Sequence, residues 1–170
     1  MTALPERRRL IAMRHAKSSH DSDVATDHDR PLNKRGLRDA PRIGEHLAAA
    51  GWTPDYILAS DSRRTRQTLE GLLQTFGEKT PQKLHAALYA GGYDELLSVA
   101  RTIPATAETI LALGHNPGWE DLVQVLSGQS IVLKTSTCAL MVLPGTFTWA
   151  EALRQCGAWQ LENVVYAKEI

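Results

Sequence analysis

An arginine and a histidine, Arg14 and His15, directly follow a short apolar run at residues 10–13. A guanidinium can hold phosphate or carboxylate oxygens through two hydrogen bonds, and a neighbouring imidazole can attack a substrate as a nucleophile. The apolar run is typical of a buried strand in a parallel sheet, and open α/β sheets bind ligands just beyond the carboxyl ends of their strands. Ordinary surfaces also carry such pairs, so a functional interpretation needs support from elsewhere in the chain.

Two further strand-to-helix corners carry the same kinds of group. Arg64 falls in the first turn of a predicted helix after a strand at 56–59, and His115 follows a strand at 109–113. Parallel strands joined by right-handed crossovers bring their carboxyl ends to one edge of the sheet, so we expect the three corners to converge. Two guanidiniums and two imidazoles suit a phosphoryl group, whose oxygens spread charge during transfer. One histidine could then take the phosphoryl group covalently and hand it to water.

The first half of the chain is expected to alternate strands and helices. Apolar residues recur at spacings of three and four between 32 and 51, which indicates an amphipathic helix ended by Gly51. Its apolar positions are Leu37, Ala40, Ile43, Leu47 and Ala50. Pro41 removes one backbone donor, so this helix is expected either to kink near Leu37 or to begin later.

The rest of the chain continues the pattern. Asp61 or Ser62 can cap the second helix, on which Arg63 and Arg66 are expected to be solvated. We predict a weak strand at 83–88, a helix at 93–102, strands at 109–113, 137–143 and 160–167, and a connection or short helix at 146–158. The last strand is mixed in polarity, so we place it at a sheet edge. This predicts an α/β fold, three-layer α/β/α with a mostly parallel central sheet, in a single domain over 1–170.

A polar loop is predicted between residues 17 and 33, leaving directly from the proposed site. Its aspartates and His28 invite a metal interpretation. However, the Asp21-x-Asp23 pair lacks the glycine and the closing glutamate of a calcium loop, and no His-x-x-x-His pair occurs in the chain. A solvated loop is therefore favoured, and no metal site is predicted. Asp21 is the member expected to fold back over His15.

The composition bears on partners and location. The chain has 170 residues with 19 basic and 19 acidic side chains, so no overall field favours nucleic acid or an anionic membrane. After the basic N-terminus only residues 10–13 follow before the next charge, too few for the apolar region of a signal peptide or a membrane span, and we expect a cytoplasmic protein. Cys138 and Cys156 match no metal spacing and are expected to be buried thiols.

Four short segments of the sequence carry a further signal, and three of them contain Arg14, His15, Arg64 and His115. They are Met-Arg-His-Ala-Lys-Ser at 13–18, Asp-Arg-Pro-Leu-Asn-Lys-Arg-Gly at 29–36, Ser-Asp-Ser-Arg-Arg-Thr-Arg-Gln-Thr at 60–68 and Gly-His-Asn-Pro-Gly at 114–118. In this order they closely resemble the histidine phosphatase superfamily, which has the phosphoglycerate-mutase-like fold. Within it, the match is to the small, single-domain bacterial phosphohistidine phosphatases of the SixA type.

The resemblance implies roles for individual residues. His15 would be the phosphorylated nucleophile, and His115 would complete its pocket. Arg14 and Arg64 would grip the phosphoryl oxygens. Ser60 would orient the second corner, and it is expected to contribute to substrate binding together with Ser18 and Asp21.

The chain departs from the superfamily at two places. The commonest first motif there is Arg-His-Gly followed by an acid, whereas this chain has Ala16 and Lys17, as the SixA-like branch often does. Mutases and many phosphomonoesterases of the superfamily carry a glutamate proton donor in the segment that corresponds to 84–92, which here has no carboxylate. The missing acid argues against mutase activity.

Two hypotheses of different class follow. One is a phosphatase without metal or cofactor that acts on phosphohistidine in proteins or on a small phosphorylated metabolite. The other is a catalytically weak module that binds phosphoanions. The intact nucleophile and cations favour the enzyme.

Overall fold

The computed structural model describes residues 2–21 and 23–170. These residues form six strands: β1 (Arg7–Arg14), β2 (Tyr56–Ser60), β3 (Gln82–His85), β4 (Thr109–Gly114), β5 (Thr137–Pro144) and β6 (Gln160–Tyr166). They also form five α-helices: α1 (Lys34–Ala49), α2 (Arg63–Phe76), α3 (Tyr93–Val99), α4 (Gly118–Ser127) and α5 (Trp149–Ala152). Short 3-10 turns lie at Asp27–Asp29, Ala86–Leu88, Ala100–Thr102 and Ala167–Glu169. Within these described ranges, no helix combines the length and the apolar character needed to cross a membrane.

The strands form one sheet in the order β3-β2-β4-β1-β5-β6. Strands β1 to β4 pair in parallel, whereas β5 runs antiparallel to both β1 and β6. The register places Arg14 opposite Gly114 and Ala59 opposite Leu113, so β1, β2 and β4 end at the same edge. The predicted convergence of the three corners is therefore observed, and β6 is an edge strand as predicted.

Helices cover both faces of the sheet because successive side chains of a strand point to opposite sides. From β1, Leu10 enters a core that also contains Trp119 of α4. Its neighbour Ile11 enters a second core with Ile43 of α1 and Leu72 of α2. The two cores confirm the predicted three-layer arrangement, in which α1 and α2 form one outer layer and α3, α4 and α5 form the other.

Helix α1 continues through Pro41 and begins directly after Asn33. The Asn33 side chain caps the helix by accepting a hydrogen bond from the backbone N–H of Gly36 at 3.0 Å, so the later start that the sequence allowed is not observed. The first turn packs through Gly36, where a Cβ would overlap the carbonyl oxygen of Lys17. Leu37, one residue further round the helix, is 52% exposed, so its predicted place on the buried face is wrong.

Two other residues are more exposed than the sequence predicted. Ala50, which follows the last turn of α1, is exposed. Cys156 is exposed in the turn after α5, with its thiol 3.4 Å from the hydroxyl of Tyr93, so the prediction of a buried thiol is wrong at this position. Cys138 in β5 is buried as predicted, and both cysteines are free.

Candidate active site

A cavity of about 170 Å³ lies beyond the ends of β1, β2 and β4 and is called the catalytic pocket below. Its walls include the four corner residues, Arg14, His15, Arg64 and His115. The ring centroids of the two histidines are 5.0 Å apart. His15 and Arg64 are each 6% exposed and His115 is 7% exposed. The other lining residues are Lys17, Ser18, His20, Arg30, Asn116 and Thr135.

Two hydrogen bonds fix the proton and the orientation of the His15 ring. Nδ1 lies 2.7 Å from the carbonyl oxygen of Ala16, which can only accept, so Nδ1 carries the proton. Nε of Arg64 donates to Nε2 of His15 at 3.3 Å, so Nε2 carries the lone pair. A neutral imidazole whose Nε2 lone pair faces a guanidinium is arranged to attack an anionic group once that hydrogen bond is released.

His115 is held by residues of the corner between β2 and α2. Nη2 of Arg64 can only donate and lies 3.4 Å from Nδ1 of His115, so Nε2 of His115 carries the proton. This Nε2 donates to Oγ of Ser60 at 2.8 Å, with Oγ1 of Thr65 at 3.3 Å and Oγ of Ser62 at 3.5 Å. The fully buried Ser60 therefore orients His115 and is not among the residues that line the catalytic pocket.

Burial and nearby cations favour the neutral form of both imidazoles. Burial is the main cause that lowers the pKa of His15 to about 4, and the charges of Arg64 and Arg14 act in the same direction. Burial also lowers the pKa of His115 to about 3, with His15 and Arg64 as the next causes. At neutral pH His15 therefore keeps the lone pair that a nucleophile needs.

A network around the peptide of Leu133 positions Arg14. Nη1 of Arg14 donates to the carbonyl oxygen of Leu133 at 3.0 Å, and Nδ2 of Asn116 donates to the same oxygen at 2.8 Å. Oε1 of Glu120 accepts from Nδ2 of Asn116 at 2.8 Å and from the backbone N–H of Leu133 at 2.9 Å. Glu120, on α4, thus fixes the peptide that holds Arg14 without itself lining the catalytic pocket.

The loop after β1 returns over the pocket and places Asp27 against Arg64. Arg64 donates to the backbone oxygen of Asp27 at 2.8 Å and to its Oδ2 at 3.1 Å. The hydroxyl of Tyr89 donates to the same Oδ2 at 2.5 Å, and Arg30 donates to Oδ1 at 2.7 Å. These hydrogen bonds, with that of Tyr89 as the largest cause, hold the pKa of Asp27 well below its usual range. The carboxylate is therefore ionised at neutral pH.

Arg30 brings a third guanidinium to the catalytic pocket. Its Nη2 donates to Oγ of Ser18 at 2.8 Å, and its Nε donates to the carbonyl oxygen of Ser19 at 3.0 Å. Ser18, predicted to contact substrate, is buried and lines the pocket. Three guanidiniums around so small a volume suit a multiply charged anion.

The structure places the remaining sequence-predicted residues outside the pocket. Asp21 is exposed and lines neither the catalytic pocket nor the larger cavity beside it. Asp27 is the loop carboxylate that reaches Arg64. Arg63 and Arg66 are exposed, as predicted.

Sequence reasoning missed the roles of Asp27, Arg30, Tyr89 and Glu120. The role of Arg30 was detectable from the sequence, because this residue lies in one of the four motif segments. The role of Glu120 was detectable as well, because it stands four residues after Asn116 at the start of a predicted helix, a spacing that brings side chains together. The roles of Asp27 and Tyr89 were not, since their contact depends on how two loops cross.

Asp27 and His28, in the loop after β1, each contact other polar side chains. Besides the contacts of Asp27, Nε2 of His28 lies 2.9 Å from Oδ1 of Asp61. In residues 2–21 and 23–170, no cluster of three or more histidines, cysteines and acids has the arrangement of a metal site.

Comparison with known proteins extends the similarity to most of the chain. The model of the histidine phosphatase superfamily (branch 1) matches residues 10–89. An uncharacterised chloroplastic protein of Arabidopsis thaliana is 40% identical over 169 residues, which cover 93% of this chain and 77% of that protein. The solved structure of a "putative phosphohistidine phosphatase SixA" from Nakamurella multipartitia is 31% identical, covers 96% of this chain and 98% of that chain, and has a TM-score of 0.77.

The fold is shared more widely than the sequence. A phosphoglycerate mutase from Bacillus anthracis is only 13% identical, yet it covers 88% of this chain and 96% of its own with a TM-score of 0.59. This similarity confirms the predicted phosphoglycerate-mutase-like fold. The family model, which spans three of the four motif segments, and the 31% identical SixA structure, which covers nearly the whole chain, confirm the predicted resemblance. The chain belongs to the histidine phosphatase superfamily and is a phosphatase.

Proposed function

We propose that this protein removes phosphoryl groups from histidine residues of other proteins through a covalent phosphohistidine on His15. We also propose that the reaction needs no metal or other cofactor, and that residues 1–170 act as one catalytic domain. The observation that carries the proposal is the lone pair of Nε2 of His15, held 3.3 Å from Nε of Arg64. A neutral nucleophile beside fixed cations is suited to accepting a phosphoryl group. Similarity to the SixA structure supports the substrate class.

In the first step, Nε2 of His15 attacks the phosphorus atom of the substrate. A bond forms between Nε2 and phosphorus while the bond from phosphorus to the substrate imidazole breaks, and its electron pair stays on the leaving nitrogen. Arg14, Arg30 and Arg64 stabilise the charge that spreads over the equatorial oxygens. The phosphorylated ring of His15 keeps its Nδ1 proton on the carbonyl oxygen of Ala16.

In the second step, water attacks the phosphorus after the substrate imidazole has left. A bond from phosphorus to oxygen forms, the bond to Nε2 breaks, and its electron pair returns to His15, which is again neutral. One proton of the water passes to the phosphate product or to solvent. A bound dianion raises the pKa of a neighbouring imidazole, so His115 can become protonated at Nδ1 and donate to a phosphoryl oxygen.

The state of Asp27 supports phosphohistidine over alkyl phosphates. An alkoxide leaving group needs a proton from a positioned acid, which contributes about 10²–10⁴-fold. Asp27 is ionised, and its hydrogen bond raises the pKa of Tyr89, so both groups are poor proton donors at neutral pH. A phosphorylated imidazole that is protonated on its other ring nitrogen leaves as neutral imidazole without such a donor.

The test compares kcat/KM for a phosphohistidine peptide, an aryl phosphate and an alkyl phosphate. We expect that order of preference, activity that survives chelators, and inhibition by vanadate, with His15→Ala inactive on all three. Efficient alkyl hydrolysis would contradict the substrate class, and activity restored only by a divalent ion would contradict cofactor independence. A folded protein that binds vanadate but turns over none of the substrates would be a phosphoanion-binding module.

A further inference from the structure

A second cavity of about 660 Å³, called the outer cavity below, adjoins the catalytic pocket. The two share Arg64, His115 and Asn116 as walls. The catalytic pocket, at about 170 Å³, has room for a phosphoryl group and little more. The outer cavity is therefore placed to receive the group from which phosphorus is removed and the chain around it.

Close backbone packing builds one side of the outer cavity. A Cβ on Gly118 would overlap the carbonyl oxygen of Gly91, and a Cβ on Gly92 would lie 3.1 Å from Cα of Gly118. The segment after Tyr89 can therefore approach the start of α4 this closely only because glycines stand at the contact. The shape of this side of the outer cavity thus depends on the glycines at the contact.

Asn116 lies where the two cavities meet. Its Nδ2 donates to Glu120 and to the carbonyl oxygen of Leu133, which fixes the amide orientation. Its Oδ1 is buried, with no donor in hydrogen-bonding range among the described residues. Tyr89, whose ring lies edge-on to His115 at 5.4 Å between centroids, adds an aromatic wall.

The charge of the outer cavity is opposite to that of the catalytic pocket. Four carboxylates line it, Asp27, Asp94, Glu95 and Asp121, whereas Arg64 is the single lysine or arginine among its described lining residues. Asp27 is paired with Arg64, and Glu95 accepts from the backbone N–H of Gly92 at 2.7 Å. Asp94 and Asp121 are exposed, and like Glu95 they have no ion pair with any residue in 2–21 or 23–170, so these carboxylates leave three negative charges at the cavity.

Resting on the proposed function, we infer that the outer cavity selects phosphohistidine in a basic peptide context, through Asp94 and Asp121. Lysine or arginine side chains beside the phosphohistidine are attracted by the carboxylates of the outer cavity, while the phosphoryl group lies among the guanidiniums of the catalytic pocket. Phosphorylated metabolites that carry carboxylates meet repulsion in the same place. The site therefore consists of a phosphate-binding pocket and an adjoining cation-binding cavity. The preferred substrate carries a negative phosphoryl group and positive side chains next to it.

The acids also lie in the first turns of α3 and α4, where negative charge stabilises a helix end. That structural effect acts equally on every substrate, so the diagnostic quantity is a ratio. We would measure kcat/KM for two phosphohistidine peptides of equal length, one flanked by lysines and one by glutamates. The same ratio would be measured for two aryl phosphates, one with a quaternary ammonium and one with a carboxylate substituent.

We expect the wild type to prefer the cationic member of each pair by roughly fivefold to tenfold, since two partly exposed ion pairs contribute modestly. The preference should shrink as salt is added. The double variant Asp94→Asn, Asp121→Asn should bring the ratio most of the way to one, because of the unpaired carboxylates only Glu95 then remains. Glu45→Gln removes one charge from the exposed face of α1, outside both cavities, and should leave the ratio unchanged.

Equal rates for both members of each pair in the wild type, or a preference that is undiminished in the double variant, would overturn the inference. Failure of the proposed function is a separate outcome. If the wild type hydrolyses the aryl phosphates and neither peptide, phosphohistidine is the wrong substrate, and the aryl pair alone decides whether the cavity selects cations.

Discussion

Nε of Arg64 donates a hydrogen bond to Nε2 of His15 at 3.3 Å, the nitrogen whose lone pair forms the bond to phosphorus in the proposed reaction. This hydrogen bond holds the ring in place before substrate binds. It must be given up when Nε2 becomes bonded to phosphorus, because the lone pair is then used. The same N–H is thereby left beside the phosphoryl oxygens, where it stabilises the developing charge.

The covalent role of His15 predicts a phosphoenzyme that can be isolated. Quenching the reaction with labelled substrate in alkali should trap phosphorus on His15, because a phosphorylated imidazole is stable to base and labile to acid. His15→Ala should carry no label, whereas His28→Ala, at a histidine paired with Asp61 beside the site, should carry it. Label that persists in His15→Ala would show that another group is the nucleophile.

We expect Arg64 and His115 to contribute to turnover because of their positions in the catalytic pocket. Arg63 and Arg66, which neighbour Arg64 in the sequence, provide controls. Arg64→Ala and His115→Ala should each lower kcat/KM by about 10²–10³, as the loss of an oxyanion donor costs roughly 2.7–4 kcal/mol. Arg63→Ala and Arg66→Ala remove exposed charges from the same helix and should have little effect. Equal losses in all four variants would mean that general positive charge holds the substrate.

Glu120 is expected to act through Arg14. Glu120→Ala removes the acceptor shared by Asn116 and the backbone N–H of Leu133, which loosens the carbonyl oxygen that holds Arg14. We expect kcat/KM to fall by roughly tenfold, in line with the 10–100-fold typical of lost supporting contacts. Glu120→Gln keeps an oxygen acceptor and should restore most of the rate. A glutamine variant as slow as the alanine variant would point to the charge of Glu120 instead.

The sequence predicted those parts of the site that depend on regular structure. Apolar runs ending in Arg14 and Gly114 predicted strands whose carboxyl ends meet, and the convergence of His15 and His115 followed. It did not predict which loop acid returns to the site, because a loop has no periodicity that relates sequence position to direction. The prediction that Leu37 is buried was wrong for a related reason. The spacing of apolar residues shows which of them share a helix face, but it does not show how far the neighbouring elements cover that face.

The lowered pKa values of the two site histidines predict a loss of stability in mild acid. The unfolded imidazoles titrate near 6.5, whereas folding lowers the pKa of His15 to about 4 and that of His115 to about 3. Between these limits the unfolded chain binds more protons, so the free energy of unfolding falls as the pH falls through the window. The loss should be on the order of 3 kcal/mol per imidazole.

Urea unfolding of the wild type from pH 7.5 to about 4.5 measures this effect. His15→Gln and His115→Gln should each flatten the dependence on pH, because the titrating group is gone. A slope that is the same in all three proteins would mean that other groups cause the acid sensitivity.

Variants of Asp27 and Asp21 test whether a carboxylate of the loop after β1 tunes the charge of the phosphate-binding arginines. Asp27 neutralises part of the positive charge of Arg64 and Arg30, which are also the groups that must hold the phosphoryl oxygens. Asp27→Asn keeps an oxygen acceptor for Tyr89 and removes the charge, so inhibition by phosphate or vanadate should become several-fold tighter. Asp21→Asn, at an exposed position outside both cavities, should change neither inhibition nor turnover.

The same pair of variants tests whether a general acid exists. Because its hydrogen bonds hold the pKa of Asp27 well below the usual range, Asp27 is ionised and has no proton to give at neutral pH. Asp27→Asn should therefore leave the ratio of aryl to alkyl phosphate hydrolysis unchanged. A specific collapse of alkyl hydrolysis in this variant would identify Asp27 as a proton donor. The same collapse in Asp21→Asn would require the loop to carry Asp21 to the site when substrate binds.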